Sequence, residues 1–135
     1  MIRRLAVLAA ALSALLVGGG AVAVASPAPD NGSVRCTFTM SDPYVVTVSG
    51  TQMVTATVTP AACSGTANPK STQVCIATGD SVGRCMLASG YETAQVYFSP
   101  YIPGVNYVAK GSGCAGLSTP AVAVCSSVGP KAATL

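Results

Sequence analysis

Histidine and tryptophan are absent from this sequence. Without histidine there is no Ser-His-Asp or Cys-His nucleophile system and no histidine metal ligand. Charge is scarce too: seven Lys or Arg and four Asp or Glu in 135 residues. So few scattered cations make no electrostatic footprint for a phosphate backbone, and a nucleic-acid partner is not expected. Among the carboxylates, Asp30 lies in a Pro-rich stretch, Asp42 precedes Pro43 in a turn, and Asp80 sits at a hairpin tip. Asp80 and Glu92 would form a glycosidase pair only if the fold held them about 5–10 Å apart; solvated turn residues are the simpler reading. A Ser–Lys dyad would have to use Lys70 or Lys110, each near a Ser in a Gly- or Pro-rich segment that reads as an ordinary loop. No phosphate-binding glycine motif is present. Gly111-Ser112-Gly113 lacks the strand-to-helix context such a motif needs and reads as a turn. These absences point to a non-enzymatic protein without a cofactor or metal.

The hydrophobic excess, 50 % over the whole chain, is concentrated at the start. Arg3 and Arg4 precede an apolar run from Leu5 to Val17 broken only by Ser13. Gly18-Gly19-Gly20 follows, then Ala23-Val24-Ala25 before Ser26. This is the layout of a secretory signal peptide over 1–25, cut near Ala25. An uncleaved anchor is the alternative, since Leu5 to Ala25 is just long enough to span a bilayer; three glycines argue against such a helix. No Cys follows the cleavage site to carry a lipid, and the Arg pair lacks twin-arginine flanks. The expected product is secreted, extracellular or in the cell envelope, with no stable membrane span after cleavage. Residues 26–33 read as a flexible leader, and 34–135 as one domain. The Ala/Val/Gly/Thr bias resembles that of exported actinobacterial proteins.

Leucine is rare beyond the signal segment, while Val, Ser and Thr abound. β-Branched residues favour the pleated surface of a sheet. Alternation agrees: Val34, Cys36, Phe38 and Met40 are apolar at every second position, and so are Val54, Ala56 and Val58 between threonines. Tyr44–Val48, Gln73–Thr78, Arg84–Ala88, Ala94–Phe98, Val105–Lys110 and Ala121–Cys125 complete seven or eight short strands. Turn signals separate them, among them Ser49-Gly50, Asn68-Pro69, Gly79-Asp80 and Thr119-Pro120. Strands at this spacing suggest an all-β fold, an antiparallel sandwich or barrel.

Six Cys in a small exported domain read as three disulfides. No C-x-x-C motif exists for metal or redox chemistry. Sequence alone leaves fifteen pairings, but hairpin symmetry ranks them. Facing residues in a hairpin keep a constant sum of positions. A tip at Ser49-Gly50 sets Cys36 opposite Cys63, Asp80 lies midway between Cys75 and Cys85, and Thr119-Pro120 midway between Cys114 and Cys125.

Five of the seven aromatics, Tyr91, Tyr97, Phe98, Tyr101 and Tyr107, fall between positions 91 and 107. With Ala94, Val96 and Phe98 inward, Tyr97 faces out. Tyr91, Tyr97 and Tyr101 are candidates for a partner-binding edge, because tyrosine offers rigid amphipathic contact area. The alternative is that they cover a thin core and stiffen loops.

Gly104-Val105-Asn106-Tyr107 after Pro103 resembles the corner that opens a late strand in immunoglobulin-like domains, where a Tyr hydroxyl ties back to the backbone. The resemblance implies an antiparallel immunoglobulin-like sandwich and that role for Tyr107; antibody domains carry a Cys two positions on, where this chain has Ala109. The composition and the Cys75-x9-Cys85 hairpin also resemble the neocarzinostatin-type apoproteins, actinobacterial secreted domains that carry a small apolar chromophore. Three functions follow as expectations. The first is a secreted or envelope-associated structural or protein-binding module, whose partner the sequence does not name. The second is a carrier of a small apolar ligand, needing an inter-sheet cleft of several hundred Å³. The third is a protease inhibitor presenting a braced loop at Ser64–Ser71 or Ser112–Thr119.

Overall fold

The computed structural model describes residues 35–79, 81–117 and 121–135. Residues 1–34, on which the expected export signal and leader fall, and residues 80 and 118–120, on which two expected turns fall, lie outside the described residues. Eight strands follow in order: β1 (Cys36–Met40), β2 (Tyr44–Val48), β3 (Thr51–Cys63), β4 (Asn68–Thr78), β5 (Arg84–Ser89), β6 (Ala94–Phe98), β7 (Asn106–Leu117) and β8 (Val122–Thr134). Among the described residues no helix is long and apolar enough to cross a membrane.

All pairings are antiparallel, in two sheets. In the first sheet, β3 is central. β2 and β1 pair in succession along one side of it, and β6 along the other. Pro43, which has no N–H for a ladder, separates β1 from β2. The second sheet runs β5-β4-β7-β8. The chain changes sheet after β3, β5 and β6, the Greek-key path of an immunoglobulin-like sandwich. Counting β1 and β2 as one interrupted strand, the fourth strand, β5, pairs with the third. In antibody constant domains it lies beside the fifth.

Alternation decides what is buried. Cys36, Phe38 and Met40 of β1 and Val54, Ala56 and Val58 of β3 face Val74 and Ile76 of β4 and Tyr107, Ala109 and Ala115 of β7. Ala94 and Val96 of β6 complete the layer.

Tyr107 makes the corner that its sequence context implies. It is fully buried, and its hydroxyl accepts the Ile102 N–H at 2.8 Å and donates to the Ile102 carbonyl at 3.3 Å. Phe98 meets its ring edge-on at a centroid distance of 5.9 Å. The loop between β6 and β7 is therefore fixed by a buried side chain at its far end.

The disulfides are Cys36–Cys63, Cys75–Cys85 and Cys114–Cys125, as the hairpin sums indicate. Each joins residues directly opposite in neighbouring strands. The first belongs to the core; the other two lie on the outer face of the second sheet, between the inward positions Thr72, Val74, Ile76, Ala109 and Ala115.

Gly111-Ser112-Gly113 is no turn but the middle of β7. Both glycines face inward, opposite Val74 and Thr72. A Cβ on Gly113 would strike the Phe38 ring, and one on Gly111 would strike Val58 Cγ2. They are small because the first sheet approaches closely there, not because the chain reverses. Asn68-Pro69 likewise opens β4 rather than making a turn. Most of the two segments considered as inhibitor loops, Asn68–Ser71 and Ser112–Leu117, is therefore strand, and so are Lys70 and Lys110.

Candidate functional site

The outward face of the first sheet is divided in two. Because Val54, Ala56 and Val58 point into the core, Met53, Thr55, Thr57 and Thr59 point out. Towards Cys63 this face is threonine. Thr59 Oγ1 lies 3.0 Å from Thr93 Oγ1, and Thr37 Oγ1 accepts the Ala62 N–H at 3.1 Å and donates to its carbonyl at 3.2 Å. Towards the Ser49-Gly50 tip it is apolar. Tyr44 and Tyr97 stand opposite Thr55 on its two sides, and Val46 stands opposite Met53. Val48 continues the row.

Thr55 is fully buried although it points away from the core, so its neighbours on that face cover it. Its hydroxyl donates to the Val96 carbonyl at 2.8 Å and accepts from Gln95 Nε2 at 3.1 Å. The tyrosines remain open: Tyr44 is 42 % and Tyr97 40 % exposed, and Val48 39 %. Val46 and Met53 are half-buried. A contiguous face of two Tyr, two Val and a Met, with no charged residue in it, has the composition of the centre of a protein interface.

The three tyrosines singled out from sequence go to different places. Tyr97 is in this face. Tyr91 precedes β6 at the opposite end of that strand, 71 % exposed, with its hydroxyl donating to Asn68 Oδ1 at 2.9 Å. Tyr101 packs against the core, its ring 6.5 Å from that of Tyr107. Tyr44, not among the expected tyrosines, joins Tyr97 because both pair with Thr55. The available signal was β2 itself, where Tyr44, Val46 and Val48 are apolar on one face while Val45 is apolar on the other.

The charged groups are dispersed. Asp42 pairs with Lys131 at 3.3 Å, bridging β8 to the break between β1 and β2. Glu92 is exposed in the turn before β6. Among the described residues no three His, Cys, Asp or Glu side chains converge, and all six Cys are in disulfides.

A second feature lies where the sheets part. A cleft of about 370 Å³ opens between the β1 and β8 edges, lined by Arg35, Cys36, Thr37, Phe38, Val124 and Ser126. Its volume falls within the range of small-molecule sites, roughly 300–1,000 Å³.

No family model, no curated protein and no solved structure matches the chain. The class of protein is defined by its fold alone: a small immunoglobulin-like β-sandwich braced by three disulfides.

Proposed function

We propose that this protein is an exported, non-enzymatic binding module that engages a protein partner in the extracellular space or cell envelope. Contact runs through the outer face of the first sheet. The observation that carries the reading is the uncharged face of Tyr44, Val46, Val48, Met53 and Tyr97, open on a framework held by three disulfides. Export is supported by the layout of residues 1–25 and by the oxidised cysteines, which persist in oxidising compartments. Tyrosine suits such a face because its ring loses little conformational freedom on contact and its hydroxyl stays hydrated.

The test is a comparison of the oxidised protein with its Tyr44→Ser/Tyr97→Ser variant, each immobilised and exposed to culture fluid and solubilised envelope. The parent is expected to retain a partner that the variant loses, while the melting temperature falls by only a few degrees because both rings are near half exposed. The same set of proteins on both columns would refute the assignment.

The cleft between β1 and β8 favours a second reading, carriage of a small apolar ligand, in keeping with the resemblance to chromophore-carrying apoproteins. Phe38 and Val124 would give it an apolar wall.

A further inference from the structure

A two-sheet sandwich has four lateral edges, each a row of backbone groups open to pairing. Three are blunted here. The β1–β2 edge is broken at Asp42 and Pro43. β6 has only five residues, and β5 has six and opens with Arg84. β8 has thirteen. Its second half is guarded by an irregularity opposite Ala109 and Gly111, by Gly129-Pro130 within it, and by Lys131, held by Asp42. The first half has none of these devices. Val122 to Val128 carries no charge, no proline and no bulge, and pairs without a break from Leu117↔Val122 to Gly111↔Val128.

The direction of its backbone groups follows from the disulfide position. Cys114 and Cys125 face each other with Cα atoms 3.9 Å apart. That is the close spacing of a non-hydrogen-bonded pair, whose members turn their N–H and C=O away from one another. By the two-residue period, Ala123, Cys125 and Ser127 all direct N–H and C=O to the open edge. None of these groups bonds to another described element.

We propose that this edge pairs with the same edge of a second copy of the chain. About a twofold axis at Cys125, Cys125 meets its own equivalent, Ala123 meets Ser127 of the other copy, and Val122 meets Val128. Every outward-directed backbone group then finds an outward-directed partner, two hydrogen bonds for each facing pair. Self-pairing sets like residues close together, and an uncharged segment is what such a contact requires. The contact is isologous, so it closes at two copies and joins the second sheets into one of eight strands. The preceding segment of the same chain suits the edge poorly, since Pro27 and Pro29 lack the N–H a ladder needs.

Sedimentation of the oxidised protein from micromolar to millimolar concentration tests the proposal. The expected mass is that of two chains, falling to one on dilution. Ser127→Pro removes an edge-facing N–H and leaves the ladder to β7 intact. It is expected to sediment as one chain with an unchanged melting temperature. Ala123→Glu/Ser127→Lys places opposite charges across the contact twice and should keep the dimer, whereas Ala123→Lys/Ser127→Lys should abolish it. A parent that stays a single chain throughout, a Ser127→Pro variant that still dimerises, or two charge variants that behave alike would overturn the proposal. So would a single chain with slow amide exchange at Ala123, Cys125 and Ser127, which would place residues 26–34 on the edge instead.

Discussion

Reduction of the three disulfides is expected to unfold the protein at room temperature. The core is continuous but, apart from Phe38, Met40, Ile76 and Tyr107, made of small side chains: Ala56, Ala94, Ala109 and Ala115 fill it between Val54, Val58, Val74 and Val96. Burial of a Val, Ile or Phe is worth roughly 1.5–3 kcal/mol, and Ala contributes much less. In the chain-entropy account, the Cys36–Cys63 link, with a separation of 27, contributes about 3.5 kcal/mol. Separations of 10 and 11 give the other two about 2.7 and 2.8 kcal/mol. Together these are comparable with the whole net stability of a typical domain, about 5–15 kcal/mol. The contributions differ in kind as well as size. Cys36 sits in the core, 4 % exposed, so Cys36→Ala/Cys63→Ala loses packing and the longest loop closure together. Cys75→Ala/Cys85→Ala and Cys114→Ala/Cys125→Ala act on the outer face of the second sheet and should cost less. Urea melts with and without a thiol reductant read both claims: the reduced protein should show no folded baseline, and the Cys36/Cys63 variant should have the lowest midpoint of the three. A reduced protein that melts cooperatively near the oxidised midpoint would show that the core suffices alone.

Gly113→Ala is expected to destabilise the fold by about 2–3 kcal/mol, through overpacking. The added methyl would overlap three atoms of the Phe38 ring, which is rigid and cannot fold aside as a flexible chain would. The ring can yield towards the cleft, where Phe38 already forms part of the wall. Movement there exposes the ring and forfeits its burial, so the cost arises whether the ring stays or moves. For a domain of this size the melting temperature should fall by roughly 10–20 °C. Phe38→Leu in the same chain should recover part of the loss, because the smaller side chain leaves room for the methyl. Additive losses in the double variant would mean that the two residues do not meet. On the carrier reading, a ring displaced into the cleft should lower the uptake of an apolar fluorescent dye.

The legible part of this fold is the part governed by short-range periodicity. The two-residue alternation in Cys36–Met40 and Val54–Thr59 marked inward and outward positions without any partner strand. The constant sum of a hairpin then paired the cysteines, because each disulfide joins neighbours across one hairpin. Tyr107 was legible for a related reason: the corner is local, and its hydrogen bond reaches back only to Ile102. Gly111 and Gly113 were misread because glycine serves both at turns and where another layer approaches. Only the facing sheet, through Phe38 and Val58, shows which applies. The placing of Tyr44 and Tyr97 on either side of Thr55 lay out of reach of local patterns. The two meet on one face because β3 brings β2 and β6 to its two sides at Thr55, a long-range register that no short window contains.

On the proposed function, partner contact runs through the outer face of the first sheet. The most direct measurement places a photoreactive amino acid at Val46, inside that face, and separately at Gln73, on the outer face of the second sheet. Each variant is irradiated in the presence of culture fluid and envelope. A cross-linked adduct is expected from position 46 and none from position 73. An adduct from position 73 alone, or none from position 46, would contradict that assignment.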